Sequence, residues 1–149
     1  MRWNNQIKAG QVSEIPLSTV DFFPTFAKAM DNTGVIDKAI DGNNILDLLK
    51  NEPKSKQRAL FWHYPHYSNQ GGKPGAAMVQ GGYKLILNYE DNSLELYDLK
   101  NDIGEKNNFA ASEKAMTKRY KKTLDKWLKD NHAKFPVGNA AYNGVFKNE

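Results

Sequence analysis

Two consecutive glycines, Gly81-Gly82, separate an apolar run, Ala76 to Gln80, from an alternating one, Tyr83 to Tyr89. A two-residue glycine loop accepts positive φ at both positions, which is what the turn of a tight antiparallel hairpin demands. In the second run Tyr83, Leu85, Leu87 and Tyr89 fall on one side of a strand, which assigns one face of the sheet to a core. Glu90-Asp91-Asn92-Ser93 turns the chain into Leu94 to Asp98, where Leu94 and Leu96 alternate with Glu95 and Tyr97. Ala59-Leu60-Phe61-Trp62 is a short apolar run suited to a further buried strand. A small antiparallel sheet of about four strands is expected.

A helix to cover that sheet follows. Met116, Tyr120, Leu124, Trp127 and Leu128 recur at helical spacing, and Ser112 stands where a capping side chain belongs. Before the sheet the chain is extended through Pro16. Ser18 then offers a cap, and Pro24 is tolerated in the first turn of a helical piece at Thr25 to Met30, which Asp31-Asn32-Thr33-Gly34 ends. Asn43 or Asn44 can cap a second short helix ending near Lys50. The tail through Asn139 to Asn143 has no period and reads as an extended surface segment. The fold class is α+β: a small four-stranded antiparallel sheet packed by a long C-terminal helix, with short N-terminal helices, divided into residues 1–57 and 58–149.

Composition narrows the chemistry. A chain of 149 residues buries roughly two-thirds of its unfolded surface, so it supports a core. No segment approaches the apolar length needed to cross a bilayer, and Met1 to Gln6 lacks the features of a secretory signal. The sequence has no cysteine, which excludes disulfides, thiolate ligands and thiol nucleophiles. Residues 112–131 carry seven Lys or Arg against three acids, a surface that suits nucleic acid or a sulfated polymer and is otherwise a solvated helix face.

The most site-like stretch is 61–72, Phe-Trp-His-Tyr-Pro-His-Tyr-Ser-Asn-Gln-Gly-Gly, which holds two of the three histidines. His63 and His66 can serve as acid, base or ligand near neutrality, yet zinc requires a third ligand that no nearby His or Cys supplies. Tyr64, Tyr67, Ser68, Asn69 and Gln70 add an aromatic platform with convergent polar groups of the kind that holds a sugar. Lys84 could pair with an anion, yet it lies opposite the tyrosine face of its strand and is expected to face solvent. Asp21 is expected to be a helix-terminal acid favoured by the dipole. Serine-hydrolase and nucleotide-binding glycine motifs are absent.

Taken in order, Arg2-Trp3, Ile7-Lys8-Ala9-Gly10-Gln11, Val20-Asp21-Phe22-Phe23-Pro24-Thr25, Asp41-Gly42-Asn43-Asn44-Ile45, the 61–72 stretch, Gly81-Gly82-Tyr83-Lys84-Leu85-Ile86 and Glu95-Leu96-Tyr97-Asp98-Leu99 resemble the C-terminal part of bacterial sulfatases of the arylsulfatase type, in the alkaline phosphatase superfamily. The resemblance runs nearly end to end, with 61–72 its most specific element. Asn4-Asn5 stand where relatives usually have Pro-Gly, and Val79 where many have arginine.

That resemblance implies a parent enzyme, a sulfuric ester hydrolase, that uses a formylglycine and calcium. The Cys/Ser-x-Pro-x-Arg precursor motif is not present here, so no catalytic or metal residue is assigned and the chain by itself is expected to be inactive. By the same resemblance residues 1–57 are the end of the large sulfatase domain and 58–149 a C-terminal subdomain. His63, His66 and Tyr67 become the substrate-binding candidates at a pocket rim, facing a sulfated carbohydrate or an aryl sulfate. The implied partner is the large catalytic sulfatase domain, with neither nucleic acid nor membrane, and self-association through the face that domain would cover. A periplasmic or secreted location is implied for the parent; these residues carry no address of their own. Two other readings remain open: a stand-alone module binding an anionic glycan, and the C-terminal part of a related phosphodiesterase or phosphonate hydrolase.

Overall fold

The computed structural model describes residues 1–31, 34, 40–50 and 58–138. The chain forms two compact units, Met1–Leu60 and Phe61–Glu149. Among the described residues no helix is long and apolar enough to cross a membrane.

In the first unit a 3₁₀ turn at Thr19–Asp21 runs directly into helix α1, Phe22–Ala29. Ser18 precedes the turn, and its amide donates to Asp21 Oδ2 at 2.9 Å. The helix starts earlier than the sequence suggests because the turn already orients its first residues; Pro24 still falls in its first turn, where a missing N–H costs nothing. At its end Met30 N donates to Phe26 O, and Asp31 takes a φ of 53° that breaks the helical path. Asn32 and Thr33 lie outside the described residues. Helix α2, Leu46–Leu49, is one turn long. Asn44 Oδ1 accepts from Leu46 N at 2.9 Å, so Asn44 rather than Asn43 satisfies its first amide. Thr25, Ala27, Ile45, Leu46 and Leu48 are buried.

The second unit is built on a sheet of four strands in the order β1-β2-β3-β4, with β1 at Leu60–Tyr64, β2 at Gly75–Gln80, β3 at Tyr83–Asn88 and β4 at Leu94–Asp98. β2 pairs antiparallel with β3 and β3 with β4; Met78 lies opposite Leu85, and Leu85 opposite Leu96. Gly81 and Gly82 have φ of 58° and 84°, the double positive pair that the hairpin turn requires. Helix α3, Lys114–Asp130, packs across β2 and β3. Met78, Leu85, Leu96 and Leu124 are fully buried, each contributing about 1.5–3 kcal/mol of burial. Two contacts fix the helix further: Trp127 stacks on Phe61 with centroids 4.9 Å apart, and the Tyr120 hydroxyl donates to Gln80 O at 2.8 Å.

Ser112 does not cap α3. The helix begins one residue later than that role needs, with Glu113 at the capping position, and Ser112 Oγ donates instead to Phe109 O at 3.2 Å. Residues 139–143, expected as an extended surface tail, lie outside the described residues.

Candidate functional site

Strand alternation sorts the residues of β1. Phe61 and His63 turn toward α3 and the segment that follows it, while Trp62 and Tyr64 take the other face and stay 45% and 49% exposed. His63 is engaged at both ring nitrogens: Nδ1 lies 2.6 Å from the Tyr89 hydroxyl and Nε2 3.0 Å from the Lys134 carbonyl. A carbonyl only accepts, so Nε2 carries the proton, and in the neutral ring Nδ1 accepts from Tyr89. Burial, then the negative charge of Asp125, pushes the Tyr89 hydroxyl up to about 12, which keeps it a donor. Phe135 closes this cluster edge-on to both rings.

His66 and Tyr67 have different surroundings. His66 is exposed and sits edge-on to Tyr64, with centroids 5.5 Å apart. The Tyr67 hydroxyl donates to Glu90 Oε1 at 2.8 Å, and Lys73 Nζ binds the other carboxylate oxygen at 2.7 Å. Lys73, and then Tyr67, hold the Glu90 carboxyl below its usual range, and the same ion pair raises the Lys73 ammonium. The following loop closes on itself: Ser68 N donates to Gly72 O at 3.0 Å and Gly72 N to Ser68 Oγ at 2.9 Å, with Gly71 at a φ of 84°. Asn69 and Gln70 are exposed on its tip.

The structure therefore joins Tyr67 to Lys73 and Glu90, and draws His63 into a separate cluster with Tyr89, Lys134 and Phe135. Lys73 and Glu90 were not singled out from the sequence, yet the hairpin carries their signal. Gly75 lies opposite Asn88, and Tyr89 N donates to Pro74 O, so the same register sets Lys73 opposite Glu90.

One expectation is corrected. Lys84 does not face solvent: it lies on the sheet face opposite the tyrosines as expected, but Nζ binds both carboxylate oxygens of Glu105, at 2.7 and 2.8 Å, with both side chains largely covered. Asp21 stands at the N-terminus of α1, the helix-terminal acid expected, and has partners the sequence does not mark. It is fully buried, accepting from the amides of Ser18 and Asn43 and pairing with Arg58. Burial alone would raise its carboxyl; the two amides and Arg58 outweigh that and hold it low.

Among the described residues no group of three or more His, Cys, Asp or Glu is placed to hold a metal ion. The described residues thus offer no carboxylate cluster for calcium, and the sequence holds no Cys/Ser-x-Pro-x-Arg precursor of a formylglycine.

Comparison with known proteins matches the same span. Residues 1–134 fit the family model for the C-terminal part of N-sulphoglucosamine sulphohydrolase. The chain belongs to this family. A sulfatase of Formosa agariphila is 34% identical to this sulfatase domain, over 76% of the chain and 21% of the relative. Human steryl-sulfatase is 34% identical over 43% of the chain and 11% of its own length. A solved protein in complex with its substrate D-glucosamine-2-N,6-O-disulfate superposes with a TM-score of 0.73 at 30% identity, covering 91% of this chain and 28% of that one. The sulfatase domain thus spans about a fifth of the length of the first of these relatives.

Proposed function

We propose that this chain is the C-terminal portion of a sulfatase that hydrolyses sulfate esters, giving the enzyme structure and part of the rim of its substrate pocket. The observation that carries this reading is the match of residues 1–134 to one sulfatase C-terminal family, together with a fold found within a longer chain that binds a disulfated glucosamine. By the family resemblance a formylglycine and calcium belong to the large catalytic domain; this sequence holds no Cys/Ser-x-Pro-x-Arg motif, and the chain alone should release no sulfate. The exposed row Leu17, Val20, Phe22, Phe23, Phe26 and Met30 supplies an apolar surface for that domain.

At the rim, His66 and Tyr67 contact a sulfated carbohydrate. His66 presents an exposed imidazole, and Tyr67 an exposed ring held by its hydroxyl bond to Glu90. His63 serves as a positioning residue that fixes the end of β1 through Tyr89 and Lys134.

The test is a chimera in which residues 1–134 replace the matched segment of the Formosa agariphila sulfatase. Sulfate release is expected from the chimera and not from the isolated chain. His66→Ala and Tyr67→Ala should each raise KM by about tenfold, the loss of a contact near 1.4 kcal/mol. Sulfate release by the 149-residue chain alone, or unchanged kinetics in both variants, overturns the assignment.

A further inference from the structure

We infer that the solvent face of α3 is a binding ridge for a sulfated polysaccharide, separate from the pocket rim. Lys114, Lys118 and Lys122 follow one another at intervals of four, and Lys129 returns to the same arc two turns later. The fifteen steps from Lys114 to Lys129 at 1.5 Å rise each give a row about 22 Å long. All four side chains are exposed, and none forms an ion pair among the described residues. The acids within the helix are occupied elsewhere: Asp125, on the same arc, binds Lys121 at 2.7 Å, and Asp130 binds Lys126 at 2.5 Å. Arg119 sits over the Tyr120 ring. The ridge thus keeps four uncompensated positive charges in a line.

The geometry favours a linear polyanion over a compact anion, because no two of these lysines need to converge on one group for all four to be used. It also favours a sugar sulfate over nucleic acid. Sequence-tolerant binding of single strands relies on aromatics interleaved with the basic groups, and the aromatics of α3, Tyr120 and Trp127, point to the sheet side. The choice of ligand rests on the sulfatase reading above; the ridge itself does not. In an enzyme whose pocket takes one sulfated unit, such a ridge would hold the neighbouring units of the same chain and raise their local concentration.

The test is titration of the 149-residue chain with a heparin octasaccharide at low and at raised salt. Binding is expected, weakening steeply with salt, and absent for the same octasaccharide after full desulfation. Lys118→Glu combined with Lys122→Glu should weaken it about tenfold or more, while the charge-matched pair Lys100→Glu with Lys106→Glu should change it less than about threefold. The readout is binding by the 149-residue chain itself, so it stands apart from whether the chimera releases sulfate. Equal losses from both charge reversals, or equal affinity for a DNA oligomer of matched charge, would overturn the inference.

Discussion

The Nδ1 of His63 lies 2.6 Å from the hydroxyl of Tyr89, joining the edge strand β1 to the residue just past β3, with β2 between them in the sheet. The other ring nitrogen holds the Lys134 carbonyl. One imidazole therefore ties together three parts of the second unit that lie 26 and 71 residues apart along the chain. His63→Ala removes both bonds and the contact with Phe135, and should cost about 1–3 kcal/mol. Tyr89→Phe, which removes one bond, should cost about 0.5–1.5 kcal/mol. Urea unfolding of both variants and of the double variant checks this; strictly additive losses would mean that the two groups do not interact in solution.

Gly42 is fixed by a different constraint. A Cβ built on it would lie 1.9 Å from Val20 O, a backbone atom that has no freedom to retreat. The next residue, Asn43, donates its amide to Asp21 Oδ1, so any shift of the loop also breaks that bond. Gly42→Ala should therefore destabilise the first unit by several kcal/mol, far beyond the ordinary effect of removing a glycine. Gly34→Ala, where a Cβ meets nothing within 4 Å, is the comparison, and should be nearly neutral. Thermal unfolding of the two variants separates these outcomes.

What the sequence disclosed follows the range over which its signals act. The sheet was legible because Gly81-Gly82 sets a register and Leu85, Leu87 and Leu96 keep a two-residue period, both local features. Helix α3 was legible for the same reason, but its start was missed by a residue, since Ser112 had a competing acceptor at Phe109 O. The ion pairs were not legible. Lys84 and Glu105 are 21 residues apart, and Asp21 and Arg58 are 37 apart, with nothing local to mark either partner. In the candidate site, residue types at 61–72 identified the segment without revealing that His63 would be held by a residue beyond α3.

Helix α1 exposes Phe22, Phe23 and Phe26, with Met30 just beyond it at 70% exposure, and Phe22 stacks on Phe26 to make a continuous apolar surface. An isolated chain has no large domain to cover it, so pairing with a second copy is the available route to removing that area from water. The 149-residue chain is expected to self-associate in light scattering as concentration rises. Phe26→Glu with Met30→Glu should return it to monomer mass, since each charge would be buried at the contact. A monomeric wild-type chain at high concentration, or a variant as associated as wild type, would show that this face is not adhesive.

Asp21 gives the first unit a specific dependence on acid. Its folded carboxyl lies below the ordinary value of 3.8 because the amides of Ser18 and Asn43 and the charge of Arg58 together outweigh burial. A folded pKa below the unfolded one means that the unfolded chain binds the proton first, so the stabilisation is complete above the unfolded value. It is then lost as pH falls from there through the depressed folded value. Asp21→Asn keeps the shape but leaves Arg58 without its partner at neutral pH, a loss of about 3–5 kcal/mol for a buried pair, toward the lower figure here because Arg58 is partly exposed. The variant also has no proton to take up at this position. Wild-type stability should therefore fall more steeply than that of Asp21→Asn between about pH 5 and about pH 3, and the two unfolding curves should converge as acid removes from the wild type what the substitution has already removed. Parallel curves across that range would place the acid sensitivity on other carboxylates.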